Sequence, residues 1–207
     1  MPVDYTLYLV TDRGMLNGEN LYHAVREAIR GGITLLQLRE KDVSSSDFYK
    51  IAVEMKKLAN SYQVPLIIND RLDIAIAADA DGLHVGQEDL PLEVARKLLG
   101  PGKILGYSVS NLAEAEYGEK HGADYLGAGP VYHTGSKETS TEPIGTARLK
   151  IIKNTVNIPV VAIGGIGMSN IGDVREAGVD GISVISAILA RQEVAAAARD
   201  LKKAWME

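Results

Sequence analysis

Short apolar runs alternate with longer amphipathic segments along the whole chain. The runs are rich in Leu, Ile and Val and show no strict alternation with polar residues, a pattern that is typical of parallel strands buried on both faces. Eight of them are predicted to be strands, at residues 7–11, 34–38, 66–69, 82–85, 104–107, 125–128, 160–163 and 181–185. We therefore expect one parallel sheet.

The amphipathic segments between these runs predict helices. In segment 44–62, capping serines precede apolar residues at helical spacing, among them Phe48, Met55 and Ala59. Four stretches repeat the order of helix end, turn and strand: GGITLLQL, DADGLHV, HGADYLGAG and AGVDGISVI. Eight strand–helix units favour a closed (β/α)8 TIM barrel over an open doubly wound sheet. Residues 1–207 are expected to form a single domain of the α/β class.

The composition limits the classes of function. The 207-residue chain contains no cysteine, which rules out disulfides, thiolate metal sites and cysteine nucleophiles. Its net charge is −5 and it has no basic stripe, so we expect no nucleic-acid partner. No apolar run reaches the roughly 18 residues of a membrane span, and the N-terminus lacks a signal-peptide pattern. The sequence therefore predicts a soluble cytoplasmic protein with no membrane partner.

Charged residues follow several predicted strands at the end where barrel enzymes place their chemistry. They are Arg39, Lys41, Lys137, Asp70 and Asp89. Each has an ordinary explanation on its own, because strand-end cations are commonly solvated and aspartate is a preferred helix N-cap. Together they favour a magnesium–diphosphate site, in which aspartates hold Mg²⁺ and cations neutralise a leaving group.

A second anion site is indicated after the last two strands. Gly164 and Gly165 follow the seventh strand, and Ser186 begins a short apolar segment after the eighth. Backbone N–H groups at these positions of a barrel commonly bind phosphate, although the two glycines could also form only a tight turn. Two anion sites imply two phosphorylated substrates or one long one. His84, inside the fourth strand, is better explained as a hydrogen-bonded core residue than as a ligand.

Long motifs stand in order along nearly the whole chain: YLVTD, GGITLLQLREK, IINDRLDIAIAADADGLHVGQEDL, GADYLGAGPVYHTGSK, IPVVAIGGI and GVDGISVISAI. Together they resemble the thiamine phosphate synthase family. The resemblance implies a (β/α)8 barrel that joins 4-amino-2-methyl-5-hydroxymethylpyrimidine diphosphate to 4-methyl-5-(2-phosphoethyl)thiazole, giving thiamine phosphate and diphosphate. It also implies a dissociative mechanism, in which diphosphate leaves before the thiazole nitrogen traps a pyrimidine-stabilised methylene cation.

The same resemblance assigns residues to each ligand. The pyrimidine diphosphate is expected to contact Gln37, Leu38, Arg39, Glu40, Lys41, Asn69, Ser108 and Lys137. Of these, the residues expected to be catalytic are Arg39, Lys41, Ser108 and Lys137. One Mg²⁺ ion is expected at Asp70 and Asp89. The thiazole phosphate is expected to contact Thr134, Gly135, Ser136, Gly165, Ile185 and Ser186.

The chain departs from the family pattern at two places. His133 stands in the loop where the family commonly has proline, and its role is unassigned. Tyr107 stands where the family usually has a smaller residue, and we expect it to adjust packing near the pyrimidine.

Three other functions remain alternatives. A thiazole tautomerase of the same fold would carry a catalytic histidine where this chain has Pro130. A sugar-phosphate epimerase or isomerase would usually need a paired acid and base, which a cation-rich rim does not suggest. A regulator that binds thiamine precursors would share most binding residues, so the sequence separates it poorly from an enzyme. A homo-oligomer also stays open, because barrels of this size often self-associate.

Overall fold

Eight parallel strands close into a barrel in the order in which they occur along the chain. The computed structural model describes residues 2–16, 18–135 and 142–207. The strands are β1 (Leu7–Val10), β2 (Leu35–Leu38), β3 (Leu66–Asn69), β4 (Gly82–Val85), β5 (Ile104–Val109), β6 (Tyr125–Ala128), β7 (Val160–Ile163) and β8 (Gly181–Val184). All eight predicted strands are confirmed, and β5 is longer than predicted because it continues through Val109.

Helices follow the strands and cover the outside of the barrel. They are α1 (Leu21–Gly31), α2 (Ser45–Ser61), α3 (Leu72–Ala77), α4 (Leu92–Leu99), α5 (Leu112–Lys120), α6 (Gly145–Thr155), α7 (Ile171–Arg175), α8 (Ser186–Leu189) and α9 (Val194–Met206). A 3-10 helix, Arg13–Met15, precedes α1. This alternation confirms the predicted (β/α)8 TIM barrel. Within the described ranges, no helix has both the length and the apolar character that crossing a membrane requires.

Strand side chains are divided between two apolar regions, because successive residues of a strand point to opposite faces. The larger region lies between the barrel wall and the helices. The smaller region lies inside the barrel, and its buried members are Tyr5, Tyr8, Leu35, Ile67, Tyr125 and Val161. These residues stand in or before the first halves of their strands, so the interior at the carboxyl end is left for polar side chains and a ligand.

Three aspartates repeat one structural role at the amino end of the barrel. Asp81, Asp124 and Asp180 stand directly before β4, β6 and β8, and each carboxylate accepts a backbone hydrogen bond of 2.7 Å from the start of the preceding strand. Each also pairs with a cation from a helix, and these cations are Lys56, Arg96 and Lys153. Three of the repeated stretches in the sequence therefore correspond to strand-start hydrogen bonds.

Candidate active site

A cavity of about 960 Å³ opens at the carboxyl end of the barrel. Most of the predicted site residues that the structure describes line it, and they come from both halves of the chain. They are Gln37, Arg39, Lys41, Asn69, Asp70, Asp89, Ser108, Thr134, Gly135, Gly165, Ile185 and Ser186. The structure therefore brings the two predicted ligand sites together in one cavity, at the end of the barrel that the fold class favours.

Leu38 and Glu40 do not join the others. Leu38 is fully buried among the apolar residues outside the barrel wall. The Glu40 carboxylate lies 2.8 Å from the guanidinium of Arg13. Alternation along an extended strand turns the side chains of residues 37, 39 and 41 to one side and those of 38 and 40 to the other, so Leu38 and Glu40 can offer a ligand only backbone groups. Ser136 and Lys137 lie outside the described residues.

Two cations of the cavity, Arg39 and Lys41, each form an ion pair with an aspartate. Lys41 Nζ lies 2.6 Å from Asp70 Oδ2, and Arg39 Nη1 lies 3.2 Å from Asp12 Oδ2. The backbone N–H of Arg39 also donates to Thr11 Oγ1 at 2.9 Å, which ties the end of β2 to the end of β1. Asp12 is a residue that the sequence did not assign to the site, although its position directly after the first strand could have suggested it.

Asp70 and Asp89 do not cap the helices that follow them. The residue at the N-cap of α3 is Arg71, and the residue at the N-cap of α4 is Pro91. Asp89 instead accepts a 2.7 Å hydrogen bond from the backbone N–H of Gly86, and Asp70 pairs with Lys41. The ordinary capping explanation therefore fails for both aspartates.

The two carboxylates influence each other's protonation. Burial by itself would raise the pKa of Asp70, but the hydrogen bond and charge of Lys41 outweigh it and hold that pKa below its ordinary value. Burial raises the pKa of Asp89, and the negative charge of Asp70 adds to this, against the opposing hydrogen bond from Gly86. Two neighbouring carboxylates of this kind could hold a hard cation, which would relieve their repulsion.

Within the described ranges, no three or more His, Asp or Glu side chains form a metal-binding cluster. A donor set of two carboxylates is too small for a closed structural site. It suits Mg²⁺, which usually keeps several waters and is bound through one or two carboxylates together with substrate phosphates.

Glycines shape the opposite side of the cavity. Gly164 and Gly165 have φ values of +100° and +65°, a left-handed conformation that side chains strain. A Cβ atom on Gly165 would lie 2.5 Å from the carbonyl oxygen of His133, so this glycine lets the end of β7 approach the loop after β6. The loop residues Thr134 and Gly135 thereby stand beside the glycine segment and line the same cavity.

The cavity floor contains a chain of hydrogen bonds that the sequence did not predict. Gln37 Nε2 donates to Tyr8 Oη at 2.7 Å, and Tyr8 Oη lies 2.8 Å from Tyr125 Oη. Tyr125 Oη lies 2.9 Å from His84 Nδ1, and His84 Nε2 lies 2.9 Å from Ser108 Oγ. His84 is therefore a hydrogen-bonded core residue, as expected, and it also lines the cavity. The sequence signal for this chain was the presence of tyrosines at inward-facing strand positions, because a buried phenol needs a hydrogen-bond partner.

The two residues that depart from the family pattern lie in different places. His133 lines the cavity. Tyr107 lies among the apolar residues outside the barrel wall and reaches the cavity through Gln87, to whose Oε1 its hydroxyl donates at 2.8 Å. Gln87 Nε2 in turn donates to the carbonyl oxygen of Ser108 at 2.8 Å. Tyr107 thus supports the wall next to Ser108, and its expected effect on pyrimidine packing stays a prediction.

Comparison with known proteins agrees with the sequence motifs. Residues 7–188 match the family described as thiamine monophosphate synthase. The chain is 58% identical to the thiamine-phosphate synthase of Desulfitobacterium hafniense strain Y51 over 205 residues, which cover 99% of each chain. It is 53% identical to the thiamine-phosphate synthase of Clostridium novyi strain NT, over 97% of this chain and 98% of that one.

A solved structure also matches this chain. The thiamine phosphate pyrophosphorylase from Pyrococcus furiosus superposes with a TM-score of 0.90 at 41% sequence identity, over 99% of this chain and 96% of that one. The sequence and structural matches both extend over the whole barrel, including the strand ends that line the cavity. This chain therefore belongs to the thiamine monophosphate synthase family.

Proposed function

We propose that this barrel joins 4-amino-2-methyl-5-hydroxymethylpyrimidine diphosphate to 4-methyl-5-(2-phosphoethyl)thiazole and releases thiamine phosphate and diphosphate. The chain is then a transferase of a pyrimidinylmethyl group. The observation that carries the proposal is the meeting of Arg39, Lys41, Asp70 and Asp89 in one cavity, in a chain of this family. Departure of diphosphate needs such a preorganised set of charges.

The pyrimidine diphosphate occupies the side of the cavity formed by β2 to β5. Arg39 and Lys41 provide positive charge for the diphosphate, while Asn69 and Ser108 provide neutral hydrogen-bonding groups. Gln37, at the floor, faces the cavity with an amide that can bind the polar edge of the pyrimidine. Lys137 remains a sequence prediction for the same ligand.

Asp70 and Asp89 fit a site for one Mg²⁺ ion. Their support is their position at one wall of the cavity and the raised pKa of Asp89, which burial raises most and the negative charge of Asp70 raises further. When bound, Mg²⁺ would neutralise charge on the diphosphate oxygens and so make diphosphate a better leaving group. Lys41 contacts Asp70 and keeps that carboxylate ionised, which prepares the pair for a cation.

The thiazole phosphate occupies the opposite side. Two segments offer backbone N–H groups that no helix carbonyl accepts. One is the left-handed segment at Gly165, and the other is the first turn of α8, which begins at Ser186 after Ile185. Thr134 and Gly135 border the same space. Ser136 remains a sequence prediction for this ligand.

This division of the cavity suits a dissociative substitution. The residues that line it supply charge and alignment, and the reaction needs neither a protein nucleophile nor a paired acid and base. Arg39 and Lys41 stabilise the diphosphate as its bond to the methylene carbon lengthens. The walls hold the thiazole nitrogen next to that carbon, so the cation is trapped before water reaches it.

The direct test is to mix the two substrates with purified protein, with and without Mg²⁺, and to measure thiamine phosphate. We expect product that depends on Mg²⁺. No product in either case from folded protein would contradict the reaction. A rate without Mg²⁺ equal to the rate with it would contradict the assignment of Asp70 and Asp89 and leave the reaction standing.

A double variant, Asp70→Asn with Asp89→Asn, separates these outcomes further. It keeps the size and one acceptor oxygen of each side chain but removes the charge that a divalent cation needs. We expect its residual rate to be the same with and without Mg²⁺. A double variant that still responds to Mg²⁺ as the wild type does would move the metal site elsewhere.

The alternative functions receive less support. Pro130 lines the cavity where the family resemblance places the catalytic histidine of a thiazole tautomerase. A tautomerase would also leave the cation–carboxylate set without a chemical use, whereas a precursor-binding regulator would share it and is distinguished by the absence of product. Conversion of one thiazole isomer into another by the purified protein would favour the tautomerase over the synthase.

The cellular context is also part of the proposal. A chain without cysteine that acts on small phosphorylated substrates fits the cytoplasm. Assembly into a homo-oligomer stays open, and measurement of the molar mass in solution decides it.

A further inference from the structure

The hydrogen-bond chain under the cavity joins opposite walls of the barrel. It runs from Gln37 on β2, through Tyr8, Tyr125 and His84, to Ser108 on β5, in four contacts of 2.7 to 2.9 Å. Both ends line the cavity, and Tyr8 and Tyr125, at its floor, are at most 2% exposed. The chain therefore links the two ligand-facing ends through groups that are almost fully buried.

The protons on the two phenols fix the direction of this chain. Burial raises the pKa of Tyr8 and of Tyr125, so each phenol keeps its proton and has one O–H to donate. Tyr8 accepts from the Gln37 amide, so its own proton goes to Tyr125. Tyr125 then donates to His84 Nδ1, which must be the unprotonated ring nitrogen. The ring proton of His84 is left on Nε2.

The opposite direction would be costly. If Tyr125 donated to Tyr8, the Tyr8 oxygen would accept two hydrogen bonds and its own proton would lose its acceptor. A buried polar group left without a partner destabilises the folded state. The direction from Gln37 towards His84 gives every proton of the two phenols an acceptor.

We infer that Tyr8 and Tyr125 are positioning residues that hold His84 as the Nε2–H tautomer and so make Ser108 a hydrogen-bond donor to the bound ligand. The Ser108 hydroxyl accepts from His84 Nε2, and its own proton then points away from the ring towards the cavity. The assignment of that ligand as the pyrimidine diphosphate rests on the proposed function, whereas the tautomer does not. A donor oriented before the reaction adds to stabilisation of the leaving group.

Two glycines make room for the chain. A Cβ atom on Gly106 would lie 2.2 Å from Tyr125 Cζ and 2.4 Å from His84 Nδ1, and one on Gly127 would lie 3.1 Å from His84 Cε1. No side chain fits at residue 106 without displacing the phenol and the imidazole together. The β5 and β6 walls are therefore shaped around these two rings.

Nitrogen-15 NMR of the histidine side chains in the wild-type protein tests the tautomer without any substrate. We expect the His84 signals of the Nε2–H form in mildly alkaline buffer. His121 is an internal reference for the other form, because its Nδ1 lies 2.8 Å from the carbonyl oxygen of Tyr117, which can only accept. Replacement of the other three histidines assigns the His84 signals. An Nδ1–H tautomer at His84 would overturn the inference, whether or not the protein makes thiamine phosphate.

Kinetics of a double-mutant cycle test the link to Ser108. We expect Tyr125→Phe to lower kcat about tenfold or more with a smaller effect on KM, and Ser108→Ala to lower it at least as much. The double variant should then be no slower than Ser108→Ala, because both substitutions remove the same hydrogen-bond donor, the oriented Ser108 hydroxyl. Multiplicative losses would show that Tyr125 acts independently of Ser108 and would overturn the inference. Tyr8→Phe serves as a second variant for the same comparison if Tyr125→Phe folds poorly.

Tyr5→Phe is the matched control. Its ring packs 5.0 Å from the ring of Tyr125 but stands outside the hydrogen-bond chain. We expect unchanged kcat and an unchanged His84 tautomer. A loss of kcat in Tyr5→Phe as large as that in Tyr125→Phe would mean that ring packing, rather than the hydrogen bond, causes the effect.

Discussion

The two ends of the barrel use the same kinds of ion pair for different purposes. At the amino end, Asp81, Asp124 and Asp180 each accept a strand N–H as well as pairing with a cation. At the carboxyl end, Asp70 pairs with Lys41 beside a second carboxylate, Asp89, and both aspartates face an open cavity. The amino-end pairs complete the hydrogen bonding of the sheet, and the carboxyl-end pairs leave charge available for a ligand.

This difference explains why aspartates at the two ends of the barrel affect the stability of the fold differently. A carboxylate that accepts a strand N–H removes an unsatisfied backbone group and so stabilises the fold. Asp89, in contrast, is partly buried beside Asp70, and burial together with that negative charge raises its pKa, which means that the folded protein resists the ionised form. Such unfavourable arrangements persist where function needs them. Variants at each end therefore separate activity from stability.

The largest effect is expected for Arg39→Ala at the carboxyl end. Loss of one preorganised donor at a leaving group typically costs on the order of 10²–10³ in rate, and we expect at least that in kcat/KM; the same is expected for Lys137→Ala. Lys153→Ala, which breaks an Asp–Lys pair at the amino end, is the control and should keep its activity. Equal losses in Arg39→Ala and Lys153→Ala would erase the distinction between the two ends.

A change of intermediate size is expected for Asp124→Ala at the amino end. It leaves the Leu105 N–H without its acceptor and removes the carboxylate that pairs with Arg96, so we expect the free energy of unfolding to fall by about 1–2 kcal/mol. Denaturant unfolding measures this, while kcat per folded molecule should not change. Glu54→Ala removes a carboxylate from the exposed pair with Lys57 and should cost less than about 0.5 kcal/mol. Similar costs for the two variants would contradict the role of the strand N–H.

The smallest effect concerns the pH dependence of stability at the carboxyl end. The folded-state pKa of Asp89 is raised from its ordinary value of 3.8. Protonated Asp89 therefore adds to the free energy of unfolding below pH 3.8, and this stabilisation is lost as the pH rises through the raised pKa. Asp89→Asn lacks this titration. In Mg²⁺-free buffer we expect the Tm of Asp89→Asn, relative to wild type, to increase over that pH range. A Tm difference that is constant with pH would refute the raised pKa of Asp89, and added Mg²⁺ should stabilise only the wild type.

The fold and the rim of the site were predictable from the sequence because both depend on local patterns. Apolar runs marked the eight strands, and the polar residues after them marked the carboxyl end. Alternation along β2 also separated Arg39 and Lys41 from Leu38 and Glu40, although the family resemblance had assigned all of them to one ligand. The side-chain directions in the structure follow the alternation.

The hydrogen-bond chain could not be predicted in the same way. Tyr8 and Tyr125 are 117 positions apart in sequence, and their contact depends on how the strands are arranged around the closed barrel. The repeated aspartates show the same limit. Their stretches were recognisable as repeats, but the bond from Asp124 to the N–H of Leu105 becomes visible only when the two strands are placed side by side. Non-local partnerships of this kind follow from topology.

Asp70 has a backbone φ of +61°, in the left-handed region that glycine, asparagine and aspartate tolerate best. The backbone at this position therefore selects one small group of residues, while the Mg²⁺ ion proposed above would select carboxylates. Aspartate alone belongs to both groups, since glutamate would strain the turn and asparagine or glycine would lack the charge. In a library of all substitutions at residue 70, we therefore expect glycine, asparagine and aspartate to permit full stability. Of these, only aspartate should permit growth without added thiamine.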